Sequence, residues 1–188
     1  MRALLVVDVQ NDFADPAGSL YVRGGEQVVP VIGEQIKLAG STGAPVFYTQ
    51  DWHPASTPHF NTDGGIWPPH CIEETWGARF HPDVVVAGPV VRKGSGRADG
   101  YSGFGVRDPA TGETEPTELD RMLRGRSIGA LLVCGLATDY CVLETVLDGV
   151  RLGYDVEVLQ AAIRAVDLEP GDGSRALDKM REAGAKLV

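Results

Sequence analysis

The 188-residue chain carries 17 basic and 26 acidic side chains, a formal net charge of −9, with 43% hydrophobic and 23% charged residues. The acid excess argues against nucleic acid or an anionic membrane surface as the main partner, and the length suits one domain, 1–188, with a core that needs no disulfide staples. Cysteines stand only at 71, 134 and 141, and Met1 to Asp12 meets a carboxylate at Asp8 too early for a signal peptide or a membrane span; the expected setting is a reducing cytoplasm.

The first element is Ala3 to Val9, a short continuous β-branched run of the kind buried on both faces of a sheet. A helical pattern follows from about Gln27 to Ala39. Ala44 to Gln50 reads as a second strand, and Val84 to Arg92 as a third, with Pro89 as a potential interruption. Glu118 to Arg124 reads as a helix, with Thr117 and Asp120 in capping-box spacing. Ile128 to Leu136 is a strongly apolar strand. The helix expected from Asp139 to Leu152 has Thr138 as N-cap and Gly153 as its stop. Asp155 to Ala162 is a strand, Ser174 to Glu182 a helix ahead of Gly184, and Ala185 to Val188 a short last strand. Strands alternating with helices predict an α/β fold: a three-layer, doubly wound, mostly parallel sheet of six strands in the order 3-2-1-4-5-6.

Two stretches break the alternation. Residues 51–82 are rich in Pro, His and Trp, and residues 94–105 hold five glycines. Long ordered loops of this kind tend to be functional. All four histidines, 53, 59, 70 and 81, lie in the first loop. Asp51, His53 and His59 offer a carboxylate and two imidazoles just past a strand end, a donor set that suits one divalent ion: Zn, Fe or Mn. His70, after Trp67-Pro68-Pro69, offers a further imidazole. His81 reads as structural, Cys71 as a packed bystander and Cys134 as a core residue.

Cys141 falls in the first turn of the helix after the apolar strand. Free N–H groups and the positive helix end favour a thiolate there, and the same amides can hold an oxyanion. Asp8 ends the first strand, where a buried carboxylate needs a partner. In the predicted order, strands 1 and 4 are neighbours at the switch point, so Asp8 and Cys141 meet in that crevice. Lys93, at the end of the third strand, is the natural cation for them. No G-x-G-x-x-G follows the first strand, which sets a dinucleotide binder aside; a non-catalytic protein with a structural metal would leave Asp8 and Cys141 unexplained.

The motifs VVDVQNDF (6–13), YTQDWHP (48–54), HF (59–60), WPPHC (67–71), RKG (92–94), DGYSGF (99–104) and GLATDYCV (135–142) together resemble the nicotinamidase branch of the isochorismatase-like cysteine hydrolases, over nearly the whole length. The resemblance implies a Cys141, Asp8, Lys93 triad. It implies metal ligands at Asp51, His53 and His59, with His70 matching a further one. It also implies a non-proline cis peptide before Ala137, turning the N–H groups of Ala137 and Cys141 towards an oxyanion. Phe13 and Trp67, with Tyr101 beside them, match residues that line a pyridine pocket. The implied activity is hydrolysis of nicotinamide to nicotinate and ammonia in NAD salvage, with pyrazinamide as an analogue. The alternative is another small amide handled by the same superfamily. Homo-oligomerisation is left open.

Overall fold

Six strands build the central sheet of the computed structural model, which describes residues 1–96, 98–109 and 111–188. They are β1 (Arg2–Val7), β2 (Val46–Asp51), β3 (Val90–Lys93), β4 (Ala130–Leu136), β5 (Asp155–Arg164) and β6 (Lys186–Leu187). Their order is β3-β2-β1-β4-β5-β6, and every pairing is parallel. This is the predicted doubly wound arrangement.

The side chains of β1 alternate between two cores, as a pleated strand requires. Leu5 and Val7 face one layer with Phe47, Leu131 and Val133. Leu4 and Val6 face the other with Tyr48 and Cys134. Helix α2 (Val28–Thr42) covers the second face through Val28, Ile32 and Ile36. Helices α3 (Leu119–Gly125), α4 (Leu143–Arg151) and α5 (Asp172–Ala183) cover the first through Leu123, Val146 and Met180. Each fully buried aliphatic side chain contributes roughly 1.5–3 kcal/mol. The short helix α1 (Asn11–Ala14), which the sequence pattern did not indicate, follows β1 directly. No helix among the described residues is long and apolar enough to cross a membrane.

The third strand is shorter than its apolar run suggests. Only Val90–Lys93 pairs with β2, and 84–89 is irregular. Pro89 lacks the N–H a ladder needs. At Gly88 the backbone passes so close to Val46 that a Cβ would sit 1.9 Å from its carbonyl oxygen. A small antiparallel hairpin, Gly105–Arg107 with Thr114–Pro116, was not foreseen; its strands are short and mostly exposed, so no apolar alternation marks them.

Two capping expectations change. Thr117 Oγ1 does accept from the Leu119 N–H (3.2 Å), but it donates to Gly103 O (2.6 Å), and Asp120 turns away to accept from the Tyr154 hydroxyl (2.6 Å). No reciprocal box forms. Ahead of α4, Ala137 rather than Thr138 is the N-cap, and Thr138–Val142 winds as one π-helical turn before the α-helix begins. Single π turns inside helices recur at functional sites. Gly153, in the left-handed region at φ 86°, follows the helix end as expected.

Candidate active site

The carboxyl ends of β1, β2, β3 and β4 converge on one crevice. Asp8 lies just beyond β1 at φ 48°, a left-handed conformation that is unusual for a non-glycine residue and that concentrates at functional sites. The parallel register sets Thr49 beside the end of β1 and pairs Asp51 with Lys93 across β2 and β3. Thr49 Oγ1 donates to Asp8 Oδ1 at 2.7 Å. Lys93 Nζ lies 2.7 Å from Asp8 Oδ2 and also donates to Asp51 Oδ1 and to Gly100 O. From the π turn Cys141 adds its sulfur, 3.4 Å from the same ammonium. Asp8, Lys93 and Cys141, placed together from the sequence, are therefore together, all buried. Asp51 was expected only as a metal ligand, yet it shares the lysine with Asp8.

That sharing sets the electrostatics. Burial pushes the Asp8 carboxyl up to about 6; Lys93 pulls it back down, but the neighbouring Asp51 charge works with burial. Lys93 thus tempers the shift rather than holding Asp8 at an ordinary value. Burial also opposes ionisation at Asp51, yet Lys93 and then His53 outweigh it and hold that carboxyl well below the usual range. Burial alone would lower Lys93, but the two carboxylates carry it well above the ordinary lysine value, so it stays an ammonium. Burial raises the Cys141 thiol well above its usual value, against the pull of Lys93. A resting thiolate, expected from the helix start, is therefore not favoured by the free pocket.

Beside this cluster stand three buried imidazoles. His53, His59 and His70 each bring a donor atom to within 4.8 Å of the others. The Nδ1 side of each ring is engaged: His53 with Gly94 O (3.0 Å), His70 with Pro68 O (2.8 Å), and His59 with the Asp99 carboxylate (2.7 Å). Because these partners are acceptors, Nδ1 carries the proton and Nε2 keeps its lone pair. His53 Nε2 is buried with no hydrogen-bond partner. Asp51 Oδ2 lies 3.6 Å from His53 Nε2 and 4.0 Å from His70 Nε2. Burial lowers His59 and lowers His70 to about 4, so these rings are neutral at pH 7. An orphaned nitrogen facing two further imidazoles and a carboxylate fits a divalent metal ion. Gly94 serves this corner: its φ is 74°, and a Cβ there would fall 2.4 Å from His53 Cε1.

One pocket opens onto both clusters. Phe13, Trp67 and Tyr101, singled out in the sequence, line it together with His70, Ala137 and Cys141. The Trp67 indole N–H donates to the Tyr101 hydroxyl (2.8 Å), and Phe13 packs against His70 at 5.4 Å between ring centroids. The peptide between Leu136 and Ala137 is cis.

Several residues of the site escaped the sequence reading. Tyr140 lies edge-on to Trp67 at 4.8 Å; its signal was an aromatic residue next to the cysteine in the first helical turn. Gln10 is buried and braces β2, donating to Asp51 O and accepting from the Asp51 N–H, both at 2.8 Å. An amide directly after the apolar run Ala3 to Val9, inside the motif 6–13, was the available signal. Asp99 opens the DGYSGF motif of the glycine-rich loop, but that motif did not mark it as a partner of a histidine. Cys71 is a packed residue, its N–H held by Asp12 Oδ2 at 2.7 Å, and Cys134 lies in the core under α2. His81 caps a turn, accepting from the Asp83 N–H at 3.3 Å, away from the three clustered rings.

The isochorismatase-domain family model matches residues 2–188. The nicotinamidase of Escherichia coli (strain K12) is 39% identical over 204 residues, covering 99% of this chain and 93% of that protein. The pyrazinamidase of Pyrococcus horikoshii in complex with zinc superposes with a TM-score of 0.89 at 37% identity, covering 100% of this chain and 98% of that one. A protein from L. infantum in complex with nicotinate superposes equally well, TM-score 0.89 at 34% identity, covering 100% of this chain and 92% of that one.

Proposed function

The chain belongs to the isochorismatase family, and from that premise we propose that it hydrolyses nicotinamide to nicotinate and ammonia, as an amidohydrolase of NAD salvage working through a thioester on Cys141. The observation that carries the reading is the meeting of Asp8, Lys93 and Cys141 with three imidazoles on a single aromatic pocket. Relatives named nicotinamidase along the full length support it.

Cys141 Sγ attacks the carboxamide carbon. Asp8 accepts the thiol proton as the bond forms, and a carboxyl near 6 suits a general base at neutral pH. Because burial keeps the resting thiol protonated, deprotonation and attack belong to one step. Lys93, 3.4 Å from the sulfur, steadies the developing negative charge and stays an ammonium throughout. The backbone N–H groups of Ala137 and Cys141 receive the oxyanion; the loss of one such donor typically lowers rate about 100- to 1,000-fold. Asp8 then returns the proton to departing ammonia. Water, activated by the same carboxylate, cleaves the thioester to nicotinate and restores the thiol.

Asp51, His53, His59 and His70 are the residues that would hold a divalent ion, with zinc, iron and manganese all suited to this donor set. When bound, the ion supplies a Lewis-acid site for the pyridine nitrogen, fixing the ring relative to the sulfur. Phe13, Trp67 and Tyr101 enclose the ring and exclude water. Pyrazinamide, with a ring nitrogen at the same place, is the expected second substrate. A domain spanning 1–188 in the cytoplasm, free of nucleic acid and membrane, completes the proposal.

The test is ammonia release from nicotinamide, pyrazinamide and a panel of aliphatic amides, with metal analysis of the same sample. Nicotinamide is expected to have the highest kcat/KM, with about one metal per chain. Preference for an aliphatic amide would replace nicotinamide as the substrate while leaving the chemistry.

A further inference from the structure

The imidazole of His59 differs from its two neighbours in what holds it. His53 and His70 donate from Nδ1 to backbone carbonyls, Gly94 O and Pro68 O, which the chain supplies whatever the side chains are. His59 alone donates to a side chain, Asp99 Oδ1, at 2.7 Å. The two residues are 40 positions apart, on different long loops. Asp99 is in turn fixed by its own backbone: its N–H donates to Arg107 O (2.7 Å) and its carbonyl accepts from the Arg107 N–H (2.8 Å), which fastens it to the edge of the 105–116 hairpin. The carboxylate is thus anchored independently of the imidazole it meets.

The same segment carries two more contacts to the site. Gly100 O, one residue on, accepts from Lys93, and Tyr101 accepts from Trp67. A short stretch therefore touches the metal corner, the catalytic lysine and the ring pocket in succession. No other carboxylate besides Asp99 bonds an Nδ1 atom of the three clustered rings among the described residues.

We propose that Asp99 is a positioning residue for the metal centre: it fixes the tautomer and rotation of His59 so that Nε2 faces the ion, and it does so from the hairpin-anchored glycine-rich loop. The inference rests on the metal-site reading above. An acceptor behind a ligating imidazole raises its basicity and fixes its orientation, and removing one typically weakens metal affinity 10- to 100-fold. Asn at this position keeps an acceptor oxygen, whereas Ala keeps only the backbone pairing with Arg107.

The experiment uses the full chain stripped of metal with a chelator and titrated with Zn²⁺ alone against a chromophoric competitor. Asp99→Ala is expected to weaken Zn²⁺ binding about 10- to 100-fold, and Asp99→Asn to restore most of that loss. In the wild type, proton NMR is expected to show a protected imidazole N–H from His59 that disappears in Asp99→Ala and persists in Asp99→Asn. A purely structural role would lower the apo-protein Tm equally in both variants and leave the Zn²⁺ affinity of the folded fraction unchanged. An Asp99→Ala affinity within twofold of wild type overturns the proposal while the metal site stands. Failure of the wild type to bind Zn²⁺ overturns the metal reading and this inference with it.

Discussion

The two buried clusters that face the pocket are finished in different ways. Around Asp8, Lys93 and Cys141 the charges answer one another: two carboxylates and one ammonium, with Thr49 and Gly100 O filling further hydrogen-bond sites. Around His53, His59 and His70 the outer nitrogens are satisfied and the inner ones point at each other. A neutral ring nitrogen left without a donor in a buried place loses its share of hydrogen bonding, so the orphaned His53 Nε2 suits a bound cation. Asp51 belongs to both, with Oδ1 on Lys93 and Oδ2 towards the imidazoles. In the proposed mechanism one cluster would move a proton and the other hold a ligand, and the single carboxylate of Asp51 touches both.

That division can be broken from either side. Cys141→Ala is expected to lower turnover by on the order of a millionfold, as for nucleophile deletion in other covalent hydrolases, with metal content unchanged. Activity near wild type would remove Cys141 from the chemistry. Asp8→Asn is expected to lower kcat by about 100- to 10,000-fold, the usual contribution of a general base, and to slow alkylation of Cys141 at neutral pH. Alkylation at the wild-type rate would point to another base. His53→Ala attacks the other cluster: metal affinity should fall by more than about 100-fold, beyond the typical effect of an outer-shell partner, and KM should rise. Full metal occupancy in that variant would take His53 off the ligand list.

The smallest effect is the most diagnostic of the proton-moving side. In the proposed mechanism Asp8 acts as a carboxylate, so kcat/KM is expected to fall as pH drops through about 6. The hydrogen bond from Thr49 favours the ionised form and holds that value down. Thr49→Val keeps the shape and removes the donor, so the acid limb should move to higher pH. A limb that stays in place would assign it to a different group.

Much of this site was legible because its parts sit where local patterns end. Asp8 terminates an apolar run, Lys93 follows another, and Cys141 opens a helix; each breaks a periodicity that burial would otherwise continue. The imidazoles were legible as a cluster in one loop. The misreadings have the same origin. The run 84–89 is apolar, but Pro89 has no N–H to give β2 and offers it only its carbonyl, which accepts from the Tyr48 N–H, so the ladder begins at Val90. The 105–116 hairpin is exposed and leaves no apolar trace. Thr117 and Asp120 had the spacing of a box, but Gly103 O and the Tyr154 hydroxyl, both distant in sequence, competed for them.

The sequence by itself determined the strand-and-helix alternation, the sheet order and which side chains meet in the crevice, because these depend on hydrophobic periodicity and on residue chemistry at the ends of elements. Only the tertiary structure decided that Asp51 and Asp8 divide one lysine, that Asp99 stands behind His59, and that Gln10 and Tyr140 complete the walls. Those contacts join residues roughly 40 or more positions apart, or depend on how a turn is wound, and their geometry is set by packing between elements, which no local pattern encodes.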